Sequence, residues 1–191
     1  MNEETTAAAA GPRTARPVAA ELAETMPDVS RSLTLTWQEP TASAAKGVEL
    51  SGLEYIRAIA AGEIPPAPIA VLLDMGPSLI EEGHVIFTGK PGEEHYNPIG
   101  VVHGGYAATI LDSALGCSVH TTLPQGTAYT SLGLEIKYIR PITRDTGHVL
   151  CESTVTFRGR RQATAEAHLT SAETGKLLAS GTSTCLIMGP A

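Results

Sequence analysis

The chain has 191 residues, 42% hydrophobic and 17% charged, a composition that suits one folded domain with a sizeable core and a tail. Its formal net charge of -7 argues against nucleic acid or an anionic membrane surface as the main partner. Aromatic residues supply only 4% while glycine occurs 19 times, so the core has to be assembled from small and aliphatic side chains at close backbone approach. Cys117, Cys151 and Cys185 are too far apart for a C-x-x-C metal or redox site, and their odd number fits no closed disulfide framework; a reducing cytoplasm is the simplest location. Asp112 and His120 interrupt the best candidate for a membrane span, which needs about 18 uninterrupted apolar residues.

Residues 1 to about 30 lack a periodic apolar pattern and are expected to form a flexible tail with a short helix over Val18–Met26. Their mixture of Arg13 and Arg16 with Glu3, Glu4, Glu21 and Glu24 fits neither a secretory signal nor a transit peptide. Arg31–Trp37 alternates polar and apolar residues, which predicts an extra edge strand within a linker over 31–50. The core domain is then expected over 51–189. It opens with a short amphipathic helix over Ser51–Ala61, capped by Ser51 and stopped by Gly62. Ile69–Leu73 after the prolines, and His84–Thr88 after Glu82-Gly83, read as a first strand and its hairpin return. Pro91–Ile99 is a loop carrying His95 and Asn97.

From Gly104 to about Leu123 apolar residues spread around most of a helix, which predicts burial. Four strand-like runs follow: Leu132–Tyr138, Val149–Phe157 and Ala163–Leu169 alternate, and Leu177–Ile187 is a mostly small and apolar closing run. The turns between them, Asp145-Thr-Gly147, Arg158-Gly-Arg160 and Glu173-Thr-Gly175, predict a four-strand meander. With the two earlier strands the result is a curved antiparallel sheet around a helix, an α+β layer fold.

Chemistry concentrates in His103-Gly104-Gly105 and the helix it opens. Backbone N–H groups at a helix start are unsatisfied and lie at the positive dipole end, so Gly104 and Gly105 can offer donors to a carbonyl oxygen gaining negative charge. Asp112 is a poor helix former away from the first turn, and a carboxylate among Ala, Ile, Leu and Gly has to be hydrogen-bonded, paired or employed. It lies seven residues past Gly105, about 10 Å along the axis. One carbonyl carbon cannot rest against both groups of a single helix, so the chemistry calls for the glycine of one subunit and the aspartate of another. Lys137, Arg140, Arg144, Arg158, Arg160 and Arg161 share a segment with only two acids, Asp145 and Glu152, and suit the phosphates of an anionic ligand as well as solvated strand ends.

Asn97-x-x-Gly100-x-x-His103-Gly104-Gly105, followed by Asp112 and by Thr130-Ser131, resembles the hot-dog-fold acyl-CoA thioesterases of the phenylacetate-pathway type over roughly residues 50–188. The resemblance implies one long helix in a six-stranded sheet, dimers whose sheets join, and dimers paired into homotetramers. It implies an acyl-CoA substrate, no metal and no cofactor beyond the CoA of the substrate, and catalytic work by Asp112 as general base toward water or as nucleophile. It also places Asn97 beside the thioester oxygen or the attacking water. Ser131 matches the hydroxyl position, with Thr130 equal to it within one residue of register. His103 is expected to support the loop–helix junction and the substrate, and Arg140, Arg158, Arg160 and Arg161 to bind substrate. Two other readings of the fold stay open here, a non-catalytic acyl-CoA-binding protein and a hydratase or dehydratase. His95 and His103 lack a third ligand for a metal, and Cys117 in its apolar helix reads as a small hydrophobe.

Overall fold

A computed structural model describes residues 30–189, so the tail and the helix expected over Val18–Met26 lie outside the described residues. Arg31–Glu39 forms neither helix nor strand. The edge strand expected over Arg31–Trp37 is absent, and Trp37 stands 55% exposed without a strand partner. A helix the sequence reading missed follows, α1 (Pro40–Val48), with proline in its first turn and Glu39 accepting from the Thr41 N–H at 3.1 Å. The second helix, α2 (Gly52–Ala60), is the expected one. Ser51 accepts from the Glu54 N–H while the Glu54 carboxylate receives the Ser51 N–H at 2.9 Å, a reciprocal capping box.

Ile69–Leu73, expected as a strand, is mostly the short helix α3 (Pro68–Leu72). A five-residue apolar run does not distinguish the two states, and Pro68 at the first helical position favours the helix. Asp74, at φ +45°, then turns the chain into β1 (Met75–Glu81). This strand pairs with β2 (His84–Gly89) across the tight turn at Glu82-Gly83. The long helix α4 (Gly104–His120) precedes β3 (Ala128–Tyr138), β4 (Val149–Arg158), β5 (Gln162–Ser171) and β6 (Leu177–Met188).

The described strands form one six-stranded antiparallel sheet in the order β1-β2-β4-β5-β6-β3. Only β4, β5 and β6 make the expected meander. Asp145-Thr-Gly147 belongs to a crossover that carries the chain from β3 at one edge to β4 inside the sheet. Burial explains the exchange: Val149, Cys151 and Ser153 of β4 are fully enclosed, whereas β3 is exposed along most of its length.

The sheet packs on α4, whose Ile110, Leu111, Ala114, Leu115 and Val119 are completely buried. Ala163, Ala165 and Ala167 of β5 face this core and let helix and sheet approach closely, as the aromatic-poor composition requires. Ser118 anchors the helix: its Oγ donates to the Leu115 carbonyl at 2.8 Å and shares a 2.9 Å bond with Ser153 Oγ. The helix is thereby fixed on β4, and its polar face is turned toward the open β3 edge.

Candidate active site

The loop before α4 is built to hold one conformation. Asn97 Oδ1 accepts from the N–H groups of Ile99 at 3.1 Å and Val101 at 3.3 Å, Tyr96 bridges Val102, and the His103 N–H donates to the His95 carbonyl at 2.8 Å. The carbonyl of the Asn97 side chain is thus committed to the loop, and its amide N–H groups have no protein acceptor among the described residues. His95 Nδ1 accepts from the Gly92 N–H at 2.9 Å. No cluster of three or more His, Cys, Asp or Glu side chains that could hold a metal occurs among the described residues.

His103 caps α4. Its Nδ1 accepts from the Gly105 N–H at 2.8 Å, which assigns the ring proton to Nε2. That bond separates the two glycines the sequence left equivalent. The Gly105 donor is occupied, and a Cβ there would come within 2.8 Å of the ring nitrogen. The Gly104 N–H has no acceptor among the described residues, and Gly104 lines a cavity of about 300 Å³ with His103, Tyr138, Arg140, Ile142 and Leu178. Tyr138, which no motif singled out, donates from its hydroxyl to the Gly104 carbonyl at 3.3 Å and so ties the helix start to the end of β3.

Asp112 is half-buried one face further along α4, and Ser131 Oγ donates to its Oδ1 at 3.0 Å. The hydroxyl beside the carboxylate is therefore that of Ser131; Thr130, one residue earlier on a strand, is directed to the other face. Gly104 and Asp112 are eight residues apart, about 12 Å along the axis, and contact opposite ends of β3. One chain does not bring them together. Cys117 lies a turn beyond, with its thiol pushed up to about 12 by burial and secondarily by the Asp112 charge, which disfavours the thiolate that a nucleophile needs.

The four arginines expected around the substrate are also divided. Arg140 lines the Gly104 cavity. Arg158, Arg160 and Arg161 sit at the β4–β5 turn, with Arg158 on the row Ser131–Cys185–Ala163–Arg158 that runs across β3, β6, β5 and β4. Three strand spacings, about 14 Å, separate Arg158 from Ser131. None of the three has a carboxylate partner among the described residues, whereas Arg144 faces Glu93 and Asp145, both at 3.7 Å.

Residues 99–178 match the thioesterase superfamily. Acyl-coenzyme A thioesterase 13 of Homo sapiens is 36% identical over 104 residues, 52% of this chain and 69% of that protein. The Mus musculus protein of the same name is 32% identical over 92 residues, 48% of this chain and 64% of that one. Among solved structures, a phenylacetic acid degradation-related protein of Ralstonia eutropha JMP134 superposes with a TM-score of 0.63 at 26% identity, covering 69% of this chain and 98% of that one. The PaaI protein of the E. coli phenylacetic acid degradation operon shares the fold, with a TM-score of 0.63 at 19% identity over 74% and 98% of the two chains.

Proposed function

The chain belongs to the thioesterase superfamily, among the acyl-CoA thioester hydrolases of the hot-dog fold, and from that premise we propose that each active site is shared by two copies of it. The observation that carries the proposal is the separation of a free N–H at Gly104 from a carboxylate at Asp112 by about 12 Å of one helix. The β3 edge supplies a way to unite them. It is long, contains no proline and exposes Leu132, Leu134 and Tyr138, features that invite pairing with another strand. A two-fold axis through β3 sets the Ser131 end of one strand beside the Tyr138 end of the other. The partner's Asp112 then approaches Gly104, and the cycle repeats on the far side of the axis.

In this arrangement the Gly104 N–H donates to the thioester carbonyl oxygen as it becomes an oxyanion, and the Asn97 amide is close enough in the chain to assist. The partner's Asp112 takes a proton from water attacking the carbonyl carbon. Collapse of the tetrahedral intermediate breaks the C–S bond, and the departing CoA thiolate is protonated, giving a carboxylic acid and free CoA. Direct attack by the carboxylate through a mixed anhydride has the same balance. Single turnover in heavy-oxygen water distinguishes them, since label in Asp112 marks covalent attack. Arg140 on one side and the Arg158, Arg160 and Arg161 turn of the partner on the other supply positive charge for the CoA phosphates.

Thiol release from a panel of aliphatic and aromatic acyl-CoAs is the primary test, with Asp112→Ala beside the wild type. Turnover by the wild type and its loss in the variant support the reading; no turnover of any acyl-CoA, or an unaffected variant, contradicts it. Light scattering on the purified protein reports whether the dimer pairs further into a tetramer.

A further inference from the structure

Asp112, Gly116 and His120 follow at intervals of four along α4 and share one face of it. Alternate residues of β3 meet that face. Ser131 bonds Asp112, the Tyr129 ring lies on Gly116, and the His120 ring packs on Tyr129 at 5.2 Å between centroids. The contact at Gly116 is close: a Cβ added there would come within 2.6 Å of the Tyr129 hydroxyl and 2.9 Å of its ring. The seam between helix and strand thus leads from the carboxylate to a Gly116–Tyr129 barrier about 6 Å further along the axis. Behind that barrier is a cavity of about 250 Å³, lined by Ala44, Val48, Tyr55, His120, Thr127 and Tyr129.

We infer that Tyr129 sets the length of acyl group the enzyme accepts, because its ring, seated on Gly116, closes the seam one helical turn beyond the Asp112 carboxylate. The inference rests on thioester hydrolysis at Asp112. None of the four arginines assigned to the CoA phosphates, Arg140, Arg158, Arg160 and Arg161, lines the cavity behind Tyr129, which leaves the seam to the acyl end. The seam suits an uncharged group, since burial lowers the His120 pKa below 6.5 and raises that of the Tyr129 phenol, so both rings are neutral near pH 7. Short or compact uncharged acyl groups end at the Tyr129 ring. Removal of the ring joins the seam to the cavity behind it, where α1 provides Ala44 and Val48.

The test compares kcat/KM for straight-chain acyl-CoAs from acetyl to palmitoyl in the wild type, Tyr129→Ala, Tyr129→Phe and the double variant Tyr129→Ala/Ala44→Trp. The wild type should favour the short end. Tyr129→Ala should raise the long-to-short ratio by about ten-fold or more while still hydrolysing short substrates. Tyr129→Phe should keep the wild-type profile, because the ring and not the hydroxyl is the barrier. Ala44→Trp fills the cavity and should reverse the gain. A wild type that favours palmitoyl-CoA, or an active Tyr129→Ala with an unchanged length profile, overturns the inference and leaves thioester hydrolysis standing. If Tyr129→Ala does not fold, Tyr129→Leu takes its place with the same expected direction. Absence of turnover by the wild type on every substrate sinks both the inference and the reading beneath it.

Discussion

Asp112 combines a half-buried position on α4 with a hydroxyl donor at 3.0 Å to Oδ1, and its second oxygen has no donor among the described residues. Asp112→Asn keeps the shape and the Ser131 contact, so it should fold as the wild type does and lose about 10²–10⁴ in kcat, read by thiol release. A variant within two-fold of wild type would remove Asp112 from the mechanism. Cys117 provides the opposite expectation: with its thiol held near 12, iodoacetamide at pH 8 should leave both the residue and the activity intact. Alkylation of Cys117 with loss of turnover would contradict that. The sequence made Asp112 legible because a carboxylate in an apolar helix needs an explanation, and Gly104 and Gly105 legible as a pair. It could not divide the pair, since the division depends on where the His103 ring settles, nor choose Ser131 over Thr130, since that depends on the register of β3 against β6. Tyr138 carried no signal beyond membership of an alternating run, and Tyr129 lay outside the runs the pattern marked.

Among the elements, α2 is the best specified by its sequence, and Ser51→Ala should lower stability by about 1 kcal/mol in urea or thermal unfolding while leaving kcat unchanged. No loss of stability would mean the capping box is ornamental. Strand β2 supplies a pH-dependent term. His84 Nε2 lies 2.9 Å from Glu152 on β4 and Nδ1 lies 3.3 Å from Glu81 on β1; the Glu152 hydrogen bond foremost holds its pKa above 6.5. A raised folded pKa favours the protonated form in the fold. Its contribution is therefore complete below the unfolded value of 6.5 and is lost as pH rises through the folded one. The urea midpoint of the wild type should fall across that window, and His84→Gln should lack this component; identical pH curves would rule it out. The strands from β3 to β5 were readable from a period of 2, which burial on one face enforces, and α4 from apolar residues spread around most of a helix; β1 was not, since its strand was expected at Ile69–Leu73. The short helix α3 was not, because five apolar residues have too little length to show a period. The adjacency of β3 and β6 was unreadable for another reason: alternation records which face of a strand is buried, and not which strand lies beside it.

At the scale of the whole molecule, a site shared by two chains makes activity depend on assembly. Leu134 is 36% exposed on β3, at the edge the partner would cover. Leu134→Asp sets like charges close together across the two-fold axis and should give a folded monomer by light scattering with turnover abolished; an active monomer would contradict the shared site. A more direct test mixes two variants, each inactive alone. Gly104→Pro removes one N–H at the first helical position, where proline is well tolerated, and Asp112→Asn removes the carboxylate function. If each site takes Gly104 from one chain and Asp112 from the other, the mixed dimer contains one intact site, and an equal mixture refolded together should recover about a quarter of wild-type activity. Failure of the mixture to recover any activity, although mixed dimers form, would contradict the shared site.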